Sequence, residues 1–265
     1  MPIVAVCDAA FVPPGVLHVG PEASAVIDLV AGLDPADPVV LVSQASAGTL
    51  AARSARLALG DPRVGLLSHE VPGTAFFLAA AALRLLPNSA LSLASCTAAL
   101  AAHTTSTRAL LSSVSTLVRP TPSFGDHVRS LWPSSRFVVS WGEDTVVPGR
   151  RIEPVPGVVT VVARSARSWA DLDESAWAGE TVELPQAQGA PAWASARWVE
   201  VSTLREGLDT VIRAVTDPAA TRDFPHCRSC ERMGWAGLCV FCQLPVGDEA
   251  AGTPILSPAS QGGLQ

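Results

Sequence analysis

The chain has 265 residues, 48% of them hydrophobic and 16% charged, with 24 acids against 18 basic residues and a formal charge of −6. That supplies ample material for a large core, and the negative balance excludes a protein that coats nucleic acid without specificity. All 18 basic residues are arginine, which excludes Schiff-base catalysis and an ammonium held on a phosphate. No apolar stretch reaches membrane-spanning length without a charge or proline, and the Met1 end lacks the features of a secretory signal. A cytoplasmic protein with no membrane contact is expected.

Charge is unevenly spread. Residues 1–50 carry five acids and no arginine, whereas residues 51–170 carry twelve arginines against six acids.

In chain order, Pro2 to Phe11 reads as a buried strand with Asp8 at its C-terminal end, where open α/β sheets place ligands. Asp8 suits a turn or cap equally, and Cys7 reads as a small core residue. Pro21 to Leu33 is predicted helical, with Val26, Ile27, Leu29 and Val30 on its apolar side. Asp37 to Ser43 is the clearest strand. The small-residue loop Ser43 to Thr49 and a helix over about 50–59 follow it. That order can cradle a phosphate on backbone N–H groups, which makes Ser43, Gly48 and Thr49 the candidate cofactor-binding residues. The loop lacks both the Gly-Lys-Ser/Thr of a P-loop and the spaced glycines of a dinucleotide fingerprint.

Arg63 to Ser68 is a short strand candidate and Thr74 to Leu86 a buried helix. Leu91 to Ala94 is expected as a strand, followed by a long Ala/Ser/Thr-rich helix running toward Leu117. His103 within it reads as a satisfied or exposed histidine, since no ligand type stands four residues on. Phe124 to Trp132 is a short amphipathic segment, and Arg136 to Trp141 and Val158 to Ala163 are strands. Leu204 to Val215 is helical. The pattern predicts an α/β fold with a Rossmann-like, mostly parallel sheet flanked by helices, and a C-terminal zinc ribbon. The expected divisions are a core over 1–147, an irregular Pro/Trp-rich excursion over 148–200, a helix plus zinc ribbon over 201–247, and a disordered tail over 248–265.

The motif with the most chemistry is Cys227-x2-Cys230-x8-Cys239-x2-Cys242. Each C-x-x-C places two thiolates on one knuckle, and two knuckles make a closed tetrahedral zinc site. Four thiolates leave no open position for water, so the expected zinc is structural. Two disulfides or a redox pair are the alternatives, disfavoured by the expected reducing compartment and by the doubled motif.

These cysteines, with Gln243 to Gly247 after them, resemble the C-terminal zinc ribbon of the tRNA thiolation proteins. That group comprises PP-loop enzymes and paralogous partner subunits with an adenine-nucleotide α-hydrolase-like fold. Leu93-Ala94-Ser95-Cys96-Thr97 and Val118-Arg119-Pro120 resemble segments of the non-catalytic partner subunit. The Ser-Gly-Gly-x-Asp-Ser PP-loop, the central cysteine pair and the N-terminal zinc module of the family are missing. The resemblance implies a non-catalytic subunit, with no catalytic residue of its own, for cytoplasmic 2-thiolation of the tRNA wobble uridine. Its partners would be a PP-loop tRNA thiolase subunit, tRNA and a ubiquitin-like sulfur carrier, with Arg108, Arg119 and Arg129 touching RNA. Two other readings stay open: a zinc-ribbon scaffold, or an unrelated α/β enzyme using Asp8, His69, Glu70 or His103.

Overall fold

The computed structural model describes residues 2–132, 134–169, 177, 179–186, 192–234 and 237–246; the expected tail, 248–265, lies outside them. The first third of the chain alternates strand and helix: β1 (Ile3–Val6), β2 (Leu17–Val19), α1 (Ala23–Ala31), β3 (Val39–Ser43), α2 (Ser46–Leu59) and β4 (Val64–Ser68). These strands form a parallel sheet in the order β2-β1-β3-β4. β1 and β3 are near-continuous apolar runs because both faces are covered. Val4, Val6, Val39 and Leu41 point to α1 and α2. Ile3, Ala5, Val40 and Val42, one residue out of phase, point into the main core. Gly48 lets α2 come that close, since a Cβ there would lie 2.4 Å from the Val6 carbonyl oxygen.

Next come α3 (Gly73–Arg84), α4 (Ala94–Thr104), β5 (Thr105–Leu111), α5 (Phe124–Arg129), β6 (Phe137–Trp141), β7 (Thr145–Pro148), β8 (Val159–Arg164), β9 (Glu180–Glu183) and β10 (Trp198–Leu204). β5 to β10 form a second sheet in the order β7-β6-β5-β10-β8-β9. All its pairs are antiparallel except β8 with β9. α3 packs on β1 of the first sheet and on β8 and β10 of the second, and so joins the two. Ala109, Leu111, Phe137, Val139 and Trp198 turn inward to the main core. Leu110, Val199 and Val201 face the opposite side, under Ile152 and Trp169.

The fold is therefore mixed α/β, and the expectation of a mostly parallel, Rossmann-like sheet is corrected in one respect. Only the four-stranded sheet is parallel; the six-stranded one is largely antiparallel. The helix expected to reach Leu117 stops at Thr104, where two threonine hydroxyls end it. Thr104 Oγ1 donates to the Leu100 carbonyl at 2.9 Å and Thr105 Oγ1 to that of Ala101 at 2.7 Å. Those bonds satisfy carbonyls that the helix end leaves open, and the threonine-rich run continues as a strand. Leu91 to Ala94 is not a strand, because Asn88–Leu93 forms a 3-10 turn leading into α4. β8, β9 and the start of β10 fall between residues 148 and 200, so that stretch supplies sheet as well as loops.

The last elements among the described residues are α6 (Leu208–Thr216), α7 (Pro218–Thr221) and the two-stranded ribbon β11 (Gly237–Leu238) with β12 (Pro245–Val246). Among the described residues no helix is long and apolar enough to cross a membrane.

Candidate functional site

The C-terminal ends of β3 and β4, the start of α2 and the end of β6 meet at the seam between the sheets. They enclose a cleft of about 200 Å³ lined by Gln44, Ala45, Ser46, Glu70, Val71, Trp141 and Ala192. Its floor is the N-terminus of α2. The N-cap residue is Ala45, and no side chain there hydrogen-bonds the first turn, so that turn presents backbone donors and the positive end of the helix dipole. Gln44 is buried and donates from Nε2 to the Val71 carbonyl at 3.3 Å, joining the ends of both strands.

Behind the floor, Thr49 Oγ1 lies 2.9 Å from Ser43 Oγ and 3.0 Å from Ser68 Oγ. The structure thus brings Ser43 and Thr49 together, but their hydroxyls are bonded to each other and to Ser68. Gly48 serves the close approach of α2 to β1. His69 follows β4, its N–H donating to the Ser43 carbonyl at 2.8 Å. Its Nε2 is buried with no hydrogen-bond partner among the described residues, and burial lowers its pKa to about 4. Glu70 is exposed at the rim.

The far wall is aromatic. Trp141 meets Trp193 edge-on, with ring centroids 5.9 Å apart and planes at 89°. Trp193 is fully buried and donates from Nε1 to Glu200 Oε2. Glu200 Oε1 accepts from the backbone N–H of Thr74 at 2.5 Å and from its hydroxyl at 2.6 Å. Ser202 Oγ lies 2.7 Å from both the Thr74 and the Thr107 hydroxyls. A carboxylate thus sits at the N-terminus of α3 within a closed polar network. Burial pushes its pKa up, and the bonds from Thr74 and Trp193 oppose that shift. The network holds Trp193, and through it the wall of the cleft. Trp141, Trp193 and Glu200 were not singled out from the sequence; the only signal was an acid between valines in a strand.

The second site is the cysteine cluster. The Sγ atoms of Cys227, Cys230, Cys239 and Cys242 all lie within 4.8 Å of one another and could hold a metal ion. Cys227 and Cys242 sulfurs are 3.1 Å apart, Cys230 and Cys239 3.6 Å, and Cys230 and Cys242 3.8 Å. Tetrahedral zinc with bonds of about 2.3 Å requires sulfurs about 3.8 Å apart, so the set fits the ion. The two knuckles share one backbone geometry. Glu231 N–H donates to the Cys227 carbonyl at 2.8 Å and Gln243 N–H to that of Cys239 at 2.9 Å. Both donors have positive φ, 58° and 59°. The hydrogen bond with Cys242 lowers the Cys227 pKa to about 6.

The module is docked on β4, the open edge of the parallel sheet. Leu66 N–H donates to the Val240 carbonyl at 2.7 Å, and Gln243 Nε2 to the Leu66 carbonyl at 3.0 Å. Arg56 of α2 donates to the Phe241 carbonyl. Gly65 makes room, because a Cβ there would lie 2.8 Å from Val240 Cγ1.

The remaining sequence candidates lie elsewhere. Asp8 accepts from Ala10 N–H at 3.0 Å as the cap of a 3-10 turn. His103 is exposed. Cys7 and Cys96 are buried thiols whose pKa values burial pushes up to about 12. Arg108 lies on β5 with Nε buried and Nη1 donating to the Glu153 carbonyl at 3.0 Å. Arg119 pairs with Asp144 at 3.3 Å and lies over Trp141 at 5.3 Å. Arg129 is exposed on α5.

No sequence family matches the chain, and no curated protein matches it. Solved structures do. A DegV family protein from Eubacterium eligens, loaded with heptadecanoic acid, superposes with a TM-score of 0.51 at 10% identity, covering 77% of this chain and 99% of that one. The fatty acid kinase B3 protein of Streptococcus pneumoniae, loaded with linoleic acid, gives 0.48 at 10%, covering 77% and 98%. A DegV family protein from Corynebacterium glutamicum gives 0.47 at 13%, covering 77% and 97%. What the chain shares with the first of these is the fold.

That likeness overturns the tRNA-thiolation resemblance, and with it the thiolase partner, the tRNA and the sulfur carrier. The physical reason is that a doubled C-x-x-C encodes the geometry of a knuckle, not of the domain carrying it.

Proposed function

We propose that the chain binds a small anionic amphiphile, a fatty acid, in the cleft between its sheets. The observation that carries this is the pairing of an uncapped α2 N-terminus with the Val71 and Trp141 walls, in a fold shared with a protein loaded with heptadecanoic acid. The carboxylate would lie against Ala45 and Ser46, where backbone donors and the helix dipole favour negative charge, and the first methylenes against Val71 and Trp141. At about 200 Å³ the cleft is smaller than the roughly 300–1,000 Å³ of sites that enclose drug-sized ligands. A short acyl chain fits inside; a longer one leaves the seam. Glu70 at the rim opposes an anion, so the head group belongs on the α2 side.

The test titrates saturated fatty acids of eight to eighteen carbons while following indole emission and heat of binding. Saturable binding is expected, with a blue shift lost in Trp141→Ala. Ala45→Asp supplies the missing N-cap, so it should preserve or raise stability while putting a carboxylate where the ligand's belongs. Its affinity should fall at least about tenfold, and an unchanged affinity would refute this placement of the head group.

We also propose that the four cysteines hold one zinc ion, structural because all four positions are filled by thiolates.

A further inference from the structure

The second sheet has another cavity at the end of β6 opposite Trp141. In the strand register Leu111 pairs with Phe137 and with Trp198, and Phe137 with Pro148. The next row beyond these pairs brings Ser112, Arg136 and Arg197 to one end of the sheet, with Arg150 just past it. Backbone bonds of 3.0 Å, from Ser112 N–H to the Arg197 carbonyl and from Gly149 N–H to that of Arg136, hold the row. With Trp132 and Trp169 these residues surround about 580 Å³.

Among the described residues three arginines and no carboxylate line this space. The Arg136 guanidinium stacks over the Trp169 ring at 4.9 Å. Arg150 and Arg197 are exposed, and neither forms an ion pair among the described residues. Trp132 is 59% exposed. The Arg150 and Arg197 guanidinium groups, gathered at one strand end, repel one another, and a multiply charged anion relieves that. Their planar forks suit phosphate oxygens two at a time. A free phosphate would leave most of the volume empty, and the exposed indole offers its face to a flat ring. Volume, charge and aromatic surface together describe a ligand with a planar base and a phosphate tail.

We infer that this cavity binds a nucleotide, a nucleoside di- or triphosphate, with Arg150 and Arg197 on the phosphates and Trp132 against the base. The site is independent of the fatty-acid reading, which concerns the other end of β6.

Calorimetry with ATP, adenosine and pyrophosphate tests it, using the full chain and two variants, Arg150→Ala combined with Arg197→Ala, and Trp132→Ala. Saturable ATP binding is expected, at least about tenfold tighter than either fragment. The double variant should lose at least about tenfold in ATP affinity and steepness in salt. Trp132→Ala should lose affinity for ATP and adenosine but not for pyrophosphate. All substituted residues are exposed, so melting temperatures should stay within a few degrees. Absence of ATP binding, pyrophosphate binding as tightly as ATP, or an unaffected double variant would each overturn the assignment. None of these outcomes bears on fatty-acid binding, which the Ala45→Asp titration reads separately.

Discussion

Glu200 is 1% exposed and bonded to three donors. Because burial raises its pKa, the folded chain keeps a proton that the unfolded chain releases. Stability from this group is therefore complete below the ordinary glutamate value of about 4.3 and is lost as pH rises through the raised one. Glu200→Gln would turn an amide N–H toward the Trp193 N–H, a cost of about 1–3 kcal/mol. Urea unfolding at several pH values should find that cost largest in acid and shrinking as pH rises. His69 runs the other way. Its lowered pKa of about 4 means its contribution is present above about pH 6.5 and lost as pH falls toward 4. His69→Leu should flatten the melting temperature over that window. Neither role was legible in the sequence. Trp198 to Leu204 alternates in a way that puts Glu200 and Ser202 on one face, the pattern of a solvated strand. Tertiary structure turns that face onto Thr74 and Thr107 instead.

Among elements, the cysteine module and β4 depend on each other. Without Val240 and Gln243, β4 would present an open parallel edge of the kind that invites pairing with another chain. Cys239→Ser should release the proposed zinc, measured by elemental analysis. Because metal-binding energy in a closed site is folding energy, it should also expose the β4 edge to hydrogen exchange around Leu66. Gly65→Val separates docking from metal binding. Its side chain collides with Val240, so zinc content should hold while Leu66 exchanges faster and the melting temperature falls. The knuckles themselves were readable, since C-x-x-C spacing is local geometry. Their docking was not, because a glycine in a strand does not say what will lie over it. The end of α4 was missed for a related reason. Small helix-compatible residues run past Thr104, and only pairing with β6 and β10 makes the next seven residues a strand.

At the scale of the molecule, the two clefts occupy opposite ends of one strand. A saturating fatty acid should raise the melting temperature, since any ligand bound only by the folded chain stabilises it. The rise should be absent in Ala45→Asp and intact in the variant lacking Arg150 and Arg197 guanidiniums, as measured by thermal unfolding. What the sequence by itself determined is local: the parallel β/α start, read from apolar runs bounded by turns, and the thiolate cluster, read from spacing. Both are signalled by short stretches, apolar runs joined by helices in the one and C-x-x-C turns in the other, although the contacts they lead to, such as Ile3 with Val40, lie farther apart. The tertiary structure alone decided that the second sheet is largely antiparallel, that α3 joins it to the first, and that Trp141 comes to face Ala45. These depend on pairings between residues about a hundred positions apart, such as Arg108 with Val201. Period-two alternation is the same whether a strand's neighbour runs parallel or antiparallel, so no local pattern encodes the choice.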